Sequence, residues 1–366
     1  MNYHNLNGYY TNEIVFPGHP DKICDQISDA ILDVILDSDP SAHCGIETLG
    51  GKNLIVVTGE VKCKNNKIPV SAIIKTILTR YGYDVKKYQI INNLGVQSDN
   101  IDMGVKAGGA GDQGMMFGFA CNDTEEKLPT AMVLLQKLAK FYDELRIKNP
   151  HLFSDGKAQI TGKYENGRLL EISDFVISYQ NDEILAHRKE SDEILEKFCR
   201  DNSPVKIKKF HINPTGKFFI GGFNGDAGLT GRKIVVDNYQ SFYNVGGGAF
   251  SGKDPSKVDR SAAYMARCVA KNIVEQMGVN WCGIQVSYAI GEKYPLNITI
   301  NTNKNIELGT NFSDEIISKE LFAPEYINKF LELRSPAKGF SYEQTAKYGH
   351  FGDSHFSWEN KKIDLI

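Results

Sequence analysis

The sequence contains no C-x-x-C pair, although seven cysteines are scattered at positions 24, 44, 63, 121, 199, 268 and 282. An odd number at such spacings excludes a complete disulfide framework and a zinc ribbon, and it predicts reduced, mostly buried thiols. No apolar run approaches the ~18 residues that a membrane-crossing helix requires, and the stretch Met1 to Asn12 is polar, without the apolar core of a secretory signal. A cytoplasmic protein with no membrane partner is expected. An excess of one charge is also missing: 42 Lys+Arg face 45 Asp+Glu, giving a net charge of −3 at pH 7. That balance argues against nucleic acid as a partner but leaves room for a local basic cluster around a small anion.

Glycine, in contrast, is plentiful, with 34 residues gathered into clusters. The 366 residues are 41% hydrophobic and 24% charged, the profile of a globular protein of two or three domains. Three long helical patterns stand out. Residues 20–38 place Ile23, Ile27, Ala30, Ile31 and Val34 on one face, with Pro20 suited to a first turn. A second helix follows Pro129, and a third follows Asp254 as N-cap and Pro255. Strand-like pairs come after each: 44–48 with 54–62, 158–164 with 169–179, and 283–290 with 296–301. The second pair is joined by Glu165-Asn166-Gly167. Further helices are predicted at 68–80 and 187–200, with a pair within 313–333. The phrases Ile91-Asn92-Asn93-Leu94-Gly95 and Ile212-Asn213-Pro214-Thr215-Gly216 close the first two units in related ways. We read an α+β protein of three similar α/β units, residues 1–100, 110–220 and 221–366.

The strands carry apolar residues on both faces. Ile55, Val57 and Val61 share one side and Leu54 and Val56 the other, while Ile284, Val286, Tyr288 and Ile290 align in a later strand. If helices cover one face of each sheet, the other needs a partner, and a second subunit is the expected one.

Four segments suggest anion chemistry. Gly246 to Lys257 fits G-x-x-x-x-G-K from Gly247, but Asp254 stands where a P-loop needs Ser or Thr, and Pro255 removes an amide, so a P-loop NTPase is rejected. Glycine-lined backbone, a helix start and the pair Lys253 and Lys257 still describe an anion site. Gly18-His19-Pro20-Asp21-Lys22 places an imidazole, a carboxylate suited to Mg²⁺ and an ammonium at another helix start. Gly221 to Lys233 surrounds Asp226 with glycines and ends in Arg232 and Lys233 before a strand predicted at 234–236. Gly108 to Gly114 has the character of a loop over a site. Several cations with two metal carboxylates, Asp21 and Asp259, suit a polyphosphate better than a monophosphate.

These phrases, GHPDKICDQISDA at 18–30, GAGDQGMMFG at 109–118 and GGGAFSGKDPSKVDRSAAY at 246–264, resemble S-adenosylmethionine synthetases. So do KFHINPTGKFFIGG, GDAGLTGRKIVVD and IQVSYAIG, and the resemblance runs from about Thr11 to Trp358. It implies three domains with pseudo-threefold symmetry, sheets packed on helices on one face and on a partner subunit on the other. It also implies a homodimer with active sites between subunits, paired further into a homotetramer. The implied substrates are ATP and L-methionine, with two Mg²⁺ and one K⁺ per site.

Carried over by matched position, the catalytic group is His19, Lys253, Lys257 and Asp112. The implied ATP site comprises His19, Lys22, Asp155, Lys157, Lys217, Phe218, Asp226, Arg232, Lys233, Ala249 and Lys253. Methionine is assigned Glu60, Gln97, Asp226, Lys257 and Ile290. Asp21 and Asp259 are the implied Mg²⁺ ligands, Glu47 the K⁺ ligand, and residues 97–111 a gating loop. Lys217 stands where Arg is commoner, which removes a bidentate contact, and Phe223 replaces a usual proline.

Overall fold

A computed structural model describes residues 3, 6–64, 67–96, 108–182, 184–303, 317–335 and 339–365. The chain begins with β1 (Gly8–Val15), α1 (Pro20–Ser38), β2 (His43–Gly51), β3 (Leu54–Lys62), α2 (Val70–Arg80) and β4 (Gln89–Val96). It continues with β5 (Gly114–Cys121), α3 (Thr130–Lys148), β6 (Leu152–Glu165), β7 (Arg168–Asn181), α4 (Leu185–Asn202) and β8 (Ile207–Ile212). Then follow β9 (Gly228–Leu229), α5 (Ile234–Asp237), α6 (Val258–Met277), β10 (Trp281–Tyr288) and β11 (Asn297–Thr302). Three short helices close the chain: α7 (Pro324–Phe330), α8 (Tyr342–Tyr348) and α9 (Ser357–Asn360).

Local signals explain much of this. Pro20 supplies a preset φ at the start of α1, and His19 caps it by accepting the Asp21 N–H. The β6–β7 hairpin turns on Asn166 and Gly167, both with positive φ, as a two-residue type I′ turn demands. Helix α6 ends on Gly278 in the left-handed conformation.

Three expectations need correction. Asp254 does not cap α6; the helix begins at Val258 after Lys257, because Asp254 is fully buried and accepts the N–H groups of Cys44 and Ser256. Residues 234–236 are helical rather than a strand, since turning there buries Asp237 against Lys22. Strand β10 stops at Tyr288, which leaves Ile290 beyond it and 57% exposed. Of the helix pair expected within 313–333, residues 319–322 form a 3₁₀ turn and α7 follows; residues 313–316 lie outside the described residues.

The strands form three sheets in the orders β1-β6-β7-β8, β11-β10-β5 and β4-β3-β2-β9. Each sheet contains a sequential hairpin and accepts a strand from elsewhere. Strand β1, just before α1, pairs antiparallel with β6; β5, before α3, pairs with β10; β9, before α6, pairs with β2. This exchange closes in a circle, so contiguous stretches of sequence interlock. Helix α1 packs on β2, α3 on β6, and α6 on β5 and β10.

The sheet under α1 is open on its other side. Ile55, Val57 and Val61 are buried on the α1 side, whereas Leu49, Leu229 and Ile91, aligned by register on the opposite face, are exposed.

Within the core, Arg260 forms a bidentate pair with Asp29 at 2.6 and 2.9 Å, and Arg267 pairs with Glu359 at 3.0 and 2.8 Å. All four residues are buried. Breaking a buried pair strands a charge, at a cost of about 3–5 kcal/mol. Arg260→Ala is expected to lower unfolding free energy by that amount, measured by denaturant titration; a loss under about 1 kcal/mol, the range of surface pairs, would contradict this reading.

Candidate active site

Two loops converge on α1. The first is residues 225–233, laid across the helix start. A Cβ on Gly228 would lie 2.3 Å from the Pro20 carbonyl oxygen, so only glycine permits this approach. Asp21 receives the loop: its Oδ1 accepts the Leu229 N–H at 3.0 Å, and its Oδ2 accepts from Lys233 Nζ at 2.5 Å. Arg232 Nε lies 3.7 Å from Oδ1, with its side chain 52% exposed. Burial works against the Asp21 charge, but Lys233 and the Leu229 amide prevail and hold its carboxyl below the usual range.

His19 stands beside this pair. Its Nδ1 accepts the Asp21 N–H at 3.2 Å, which places the proton of the neutral ring on Nε2. Burial, reinforced by Lys233 and Lys157, lowers its pKa to about 4 against the opposing pull of Asp21. Asp155 and Lys157 share a face of β6 through the two-residue strand period. Asp155 Oδ2 accepts the Gly222 N–H at 2.7 Å; burial raises its pKa, and the Gly222 and Gly156 amides oppose the rise. Asp226 is exposed, and its charge reaches His19.

The second loop, 246–257, docks on β2. The Ile46 N–H donates to Gly252 O at 3.0 Å, and the Asp254 N–H to Cys44 O at 3.2 Å. Lys253 pairs with Gly45 in an antiparallel bridge, as does Glu60 on β3, so both side chains share the face of Gly45 and Glu47, away from α1. Lys253 Nζ lies 2.5 Å from Asp259 Oδ2 in the first turn of α6. A Cβ on Gly248 would sit 2.1 Å from the Asp259 carboxyl carbon, which reserves that position for glycine. Lys257 Nζ is 2.6 Å from Asp254 Oδ2, and Arg334 Nη2 is 3.1 Å from Oδ1. Despite burial, Lys257, His43 and Arg334 hold the Asp254 carboxyl far below its usual range.

The structure thus gathers His19, Asp21, Asp155, Lys157, Asp226, Arg232 and Lys233 into one group, and Glu47, Glu60, Lys253 and Asp259 into another. Lys22 joins neither and is a correction to the expected phosphate contact. It is fully buried, with Nζ 3.0 Å from Asp25 and 2.6 Å from Asp237, because its helix position turns it toward the core. Ala249 is half-buried against Gly231. Phe218 and Lys217 line a separate cavity of about 320 Å³. Asp112 is exposed and accepts the Gln113 N–H at 2.8 Å. Gln97 and most of the 97–111 loop lie outside the described residues. Phe223, in place of proline, is buried against Tyr83 and Tyr88.

Sequence reasoning missed Asp25 and Asp29. Asp25 Oδ1 accepts the Gly231 N–H and Asp29 Oδ1 the Gly252 N–H, both at 2.8 Å, so these carboxylates seat the two loops. The available signal was the four-residue spacing of Asp21, Asp25, Asp29 and Asp33.

The donor chemistry suits Mg²⁺. Asp21 and Asp259 each offer a single hard-oxygen carboxylate already facing lysine, the partial ligand set of an ion held chiefly by phosphate oxygens and water.

Models of the N-terminal, central and C-terminal domains of S-adenosylmethionine synthetase match residues 7–101, 107–218 and 220–360. The chain belongs to the S-adenosylmethionine synthetase family. It is 41% identical to the S-adenosylmethionine synthase of Brachyspira hyodysenteriae over 98% of this chain and 97% of that relative. The synthases of Treponema denticola and Clostridium tetani share the same identity over 96% and 98% of this chain, and 95% and 98% of their own lengths. Within the family frame, His19 becomes the residue whose protonation state is decided by its neighbours. A depressed imidazole pKa also means that stability is lost as pH falls from 6.5 toward 4. Imidazole ¹H–¹⁵N spectra recorded between pH 8 and 4 are expected to show His19 neutral, with an Nε2 proton, until the pH nears 4; a midpoint near 6.5 would refute the assignment.

Proposed function

We propose that the protein joins ATP and L-methionine to form S-adenosylmethionine. Family membership supports the substrates, and one observation carries the site: Lys233, Arg232 and Lys157 gather with Asp21 around a neutral His19. The methionine thioether sulfur attacks C5′ of the ribose. A sulfur–carbon bond forms, the C5′–oxygen bond breaks, and its electron pair stays with the departing triphosphate. A thioether is already nucleophilic, so no base is needed, and rate comes from alignment and from stabilising leaving-group charge. His19 Nε2–H donates to the leaving oxygen, while Lys157, Arg232 and Lys233 neutralise the phosphates. Lys253 and Lys257 serve the same tail, with Lys257 also near methionine. Asp155 and Asp226 hold adenosine and the methionine amine, Phe218 stacks on adenine, and Glu60, Gln97 and Ile290 receive the amino acid. Asp21 and Asp259 would hold two Mg²⁺ and Glu47 one K⁺, and bound divalent ions lower the cost of phosphate charge. Bound triphosphate is hydrolysed to pyrophosphate and phosphate before release.

The open sheet face supports a homodimer with pseudo-threefold protomers. Its exposed Leu49, Ile91 and Leu229 offer an apolar surface, and Glu47, Glu60 and Lys253 lie on the same side. In this reading the helix-start group of one subunit meets the loop group of the other, and two dimers form a tetramer. The buried thiols of Cys24, Cys44, Cys121, Cys199, Cys268 and Cys282 are compatible with a reducing cytoplasm, and among the described residues no helix is long and apolar enough to cross a membrane.

With ATP, methionine, Mg²⁺ and K⁺, the expected products are a sulfonium compound with pyrophosphate and phosphate in equal amounts. ADP formation, or binding without turnover, would overturn the reading. Arg232→Ala, at an exposed position, is expected to reduce turnover by about 10²-fold with an unchanged melting temperature; unchanged turnover contradicts its role. Sedimentation at micromolar concentration is expected to give species of at least twice the 40.8 kDa chain mass, and a 40.8 kDa species alone would reject the shared site.

A further inference from the structure

Away from the loops on α1, three side chains meet that the synthetase reaction does not use. His151 lies in the turn before β6, Asp182 just past β7, and His187 in the first turn of α4. Asp182 Oδ2 is 2.6 Å from His151 Nδ1 and 3.0 Å from His187 Nδ1. The two imidazoles stack with centroids 3.4 Å apart and an interplanar angle of 28°. One ligand atom from each residue lies within 4.8 Å of the others. We propose that these residues form a transition-metal site, with Zn²⁺ as its ion.

The donor set carries the choice of ion. Two imidazole nitrogens and one carboxylate oxygen match borderline ions such as zinc and are poorly suited to Mg²⁺ or K⁺, which prefer oxygen alone. Zinc bonds of about 2.0–2.1 Å in a tetrahedron set ligand atoms roughly 3.3 Å apart, near the observed donor spacings, and binding would swing the two stacked rings apart so that each in-plane nitrogen lone pair meets the ion. Backbone contacts hold the three residues in place. Asp182 Oδ1 accepts the Ile184 N–H at 3.1 Å, the Asp182 N–H donates to His151 O at 3.0 Å, and the His151 N–H donates to Asn149 Oδ1 at 3.0 Å. Ser191 Oγ donates to His187 O at 2.9 Å. The side chains are 38%, 22% and 31% exposed, which leaves a side open to water as the fourth ligand. An ion there clasps the start of α4 to the ends of β6 and β7. Asp182 also lines the cavity that holds Lys217 and Phe218, so the clasp borders one wall of the proposed nucleotide site.

The test uses the full chain, stripped with chelator and returned to Mg²⁺ and K⁺. Calorimetric titration with Zn²⁺ is expected to give about one site per chain, weakened about 100-fold or more by His187→Ala. Co²⁺ in place of Zn²⁺ is expected to give the visible absorption of a four-coordinate site, lost in the same variant. His151→Gln, placed in a turn rather than a helix, is the second variant should His187→Ala fail to fold. Zinc uptake of equal affinity in both variants, or no uptake by the unaltered chain, overturns the proposal. Because the readout is binding rather than turnover, its failure is distinct from any failure of the synthetase reading.

Discussion

Asp21, Asp25, Asp29 and Asp33 recur every four residues along α1, and each accepts backbone N–H bonds from a segment 206 to 310 residues further along the chain. The 3.6-residue helical repeat puts them on one stripe. Leu229 and Gly231 bind the first two, Gly252 the third, and Tyr342 and Glu343 the fourth. Three of these four carboxylates face a cation. Lys22 answers Asp25 and Asp237, Arg260 answers Asp29, and Lys233 answers Asp21. Helix α1 is therefore a register against which both glycine-rich loops are aligned, and the positions of Lys233 and Lys253 follow from it.

The sheets impose the same dependence at larger scale. Every sheet draws a strand from a distant part of the chain, so no hairpin has all its edges covered until the others are in place. The interlock explains how residues from the first, central and last parts of the chain meet at His19, with Lys157 arriving on β6 and Arg232 and Lys233 just after β9. Among the described residues, it leaves the face of the β4-β3-β2-β9 sheet that carries Leu49, Ile91 and Leu229 exposed. The metal-binding chemistry proposed for His151, Asp182 and His187 sits at the opposite kind of place, where consecutive elements of the central part turn back on themselves.

The legibility of these features varied with their range. Helix α1 and the long α3 were readable from spacing and from the prolines at their starts, and the β6–β7 turn from Asn166-Gly167, because each depends on neighbours within a few residues. Strand β3 matched its predicted limits for the same reason. Lys22 was misread because its type and its neighbours do not say which way its helix position faces. Asp254 was misread because a buried contact with Cys44, 210 residues away, outweighed its local preference for a helix cap. The short helix at Ile234 was hidden by β-branched residues whose strand preference yielded to the burial of Asp237.

By itself, the sequence determined the inventory: three long helices, hairpins, glycine-rich loops, and the histidine, carboxylates and cations that suit a polyphosphate. Those depend on local sterics and on side-chain chemistry, which travel with the residue. Only the tertiary structure decided which cations turn inward as core counter-ions and which remain at the surface. The reason is that solvent exposure is a property of packing between distant segments, and a charge is useful to a ligand only where packing leaves it uncovered.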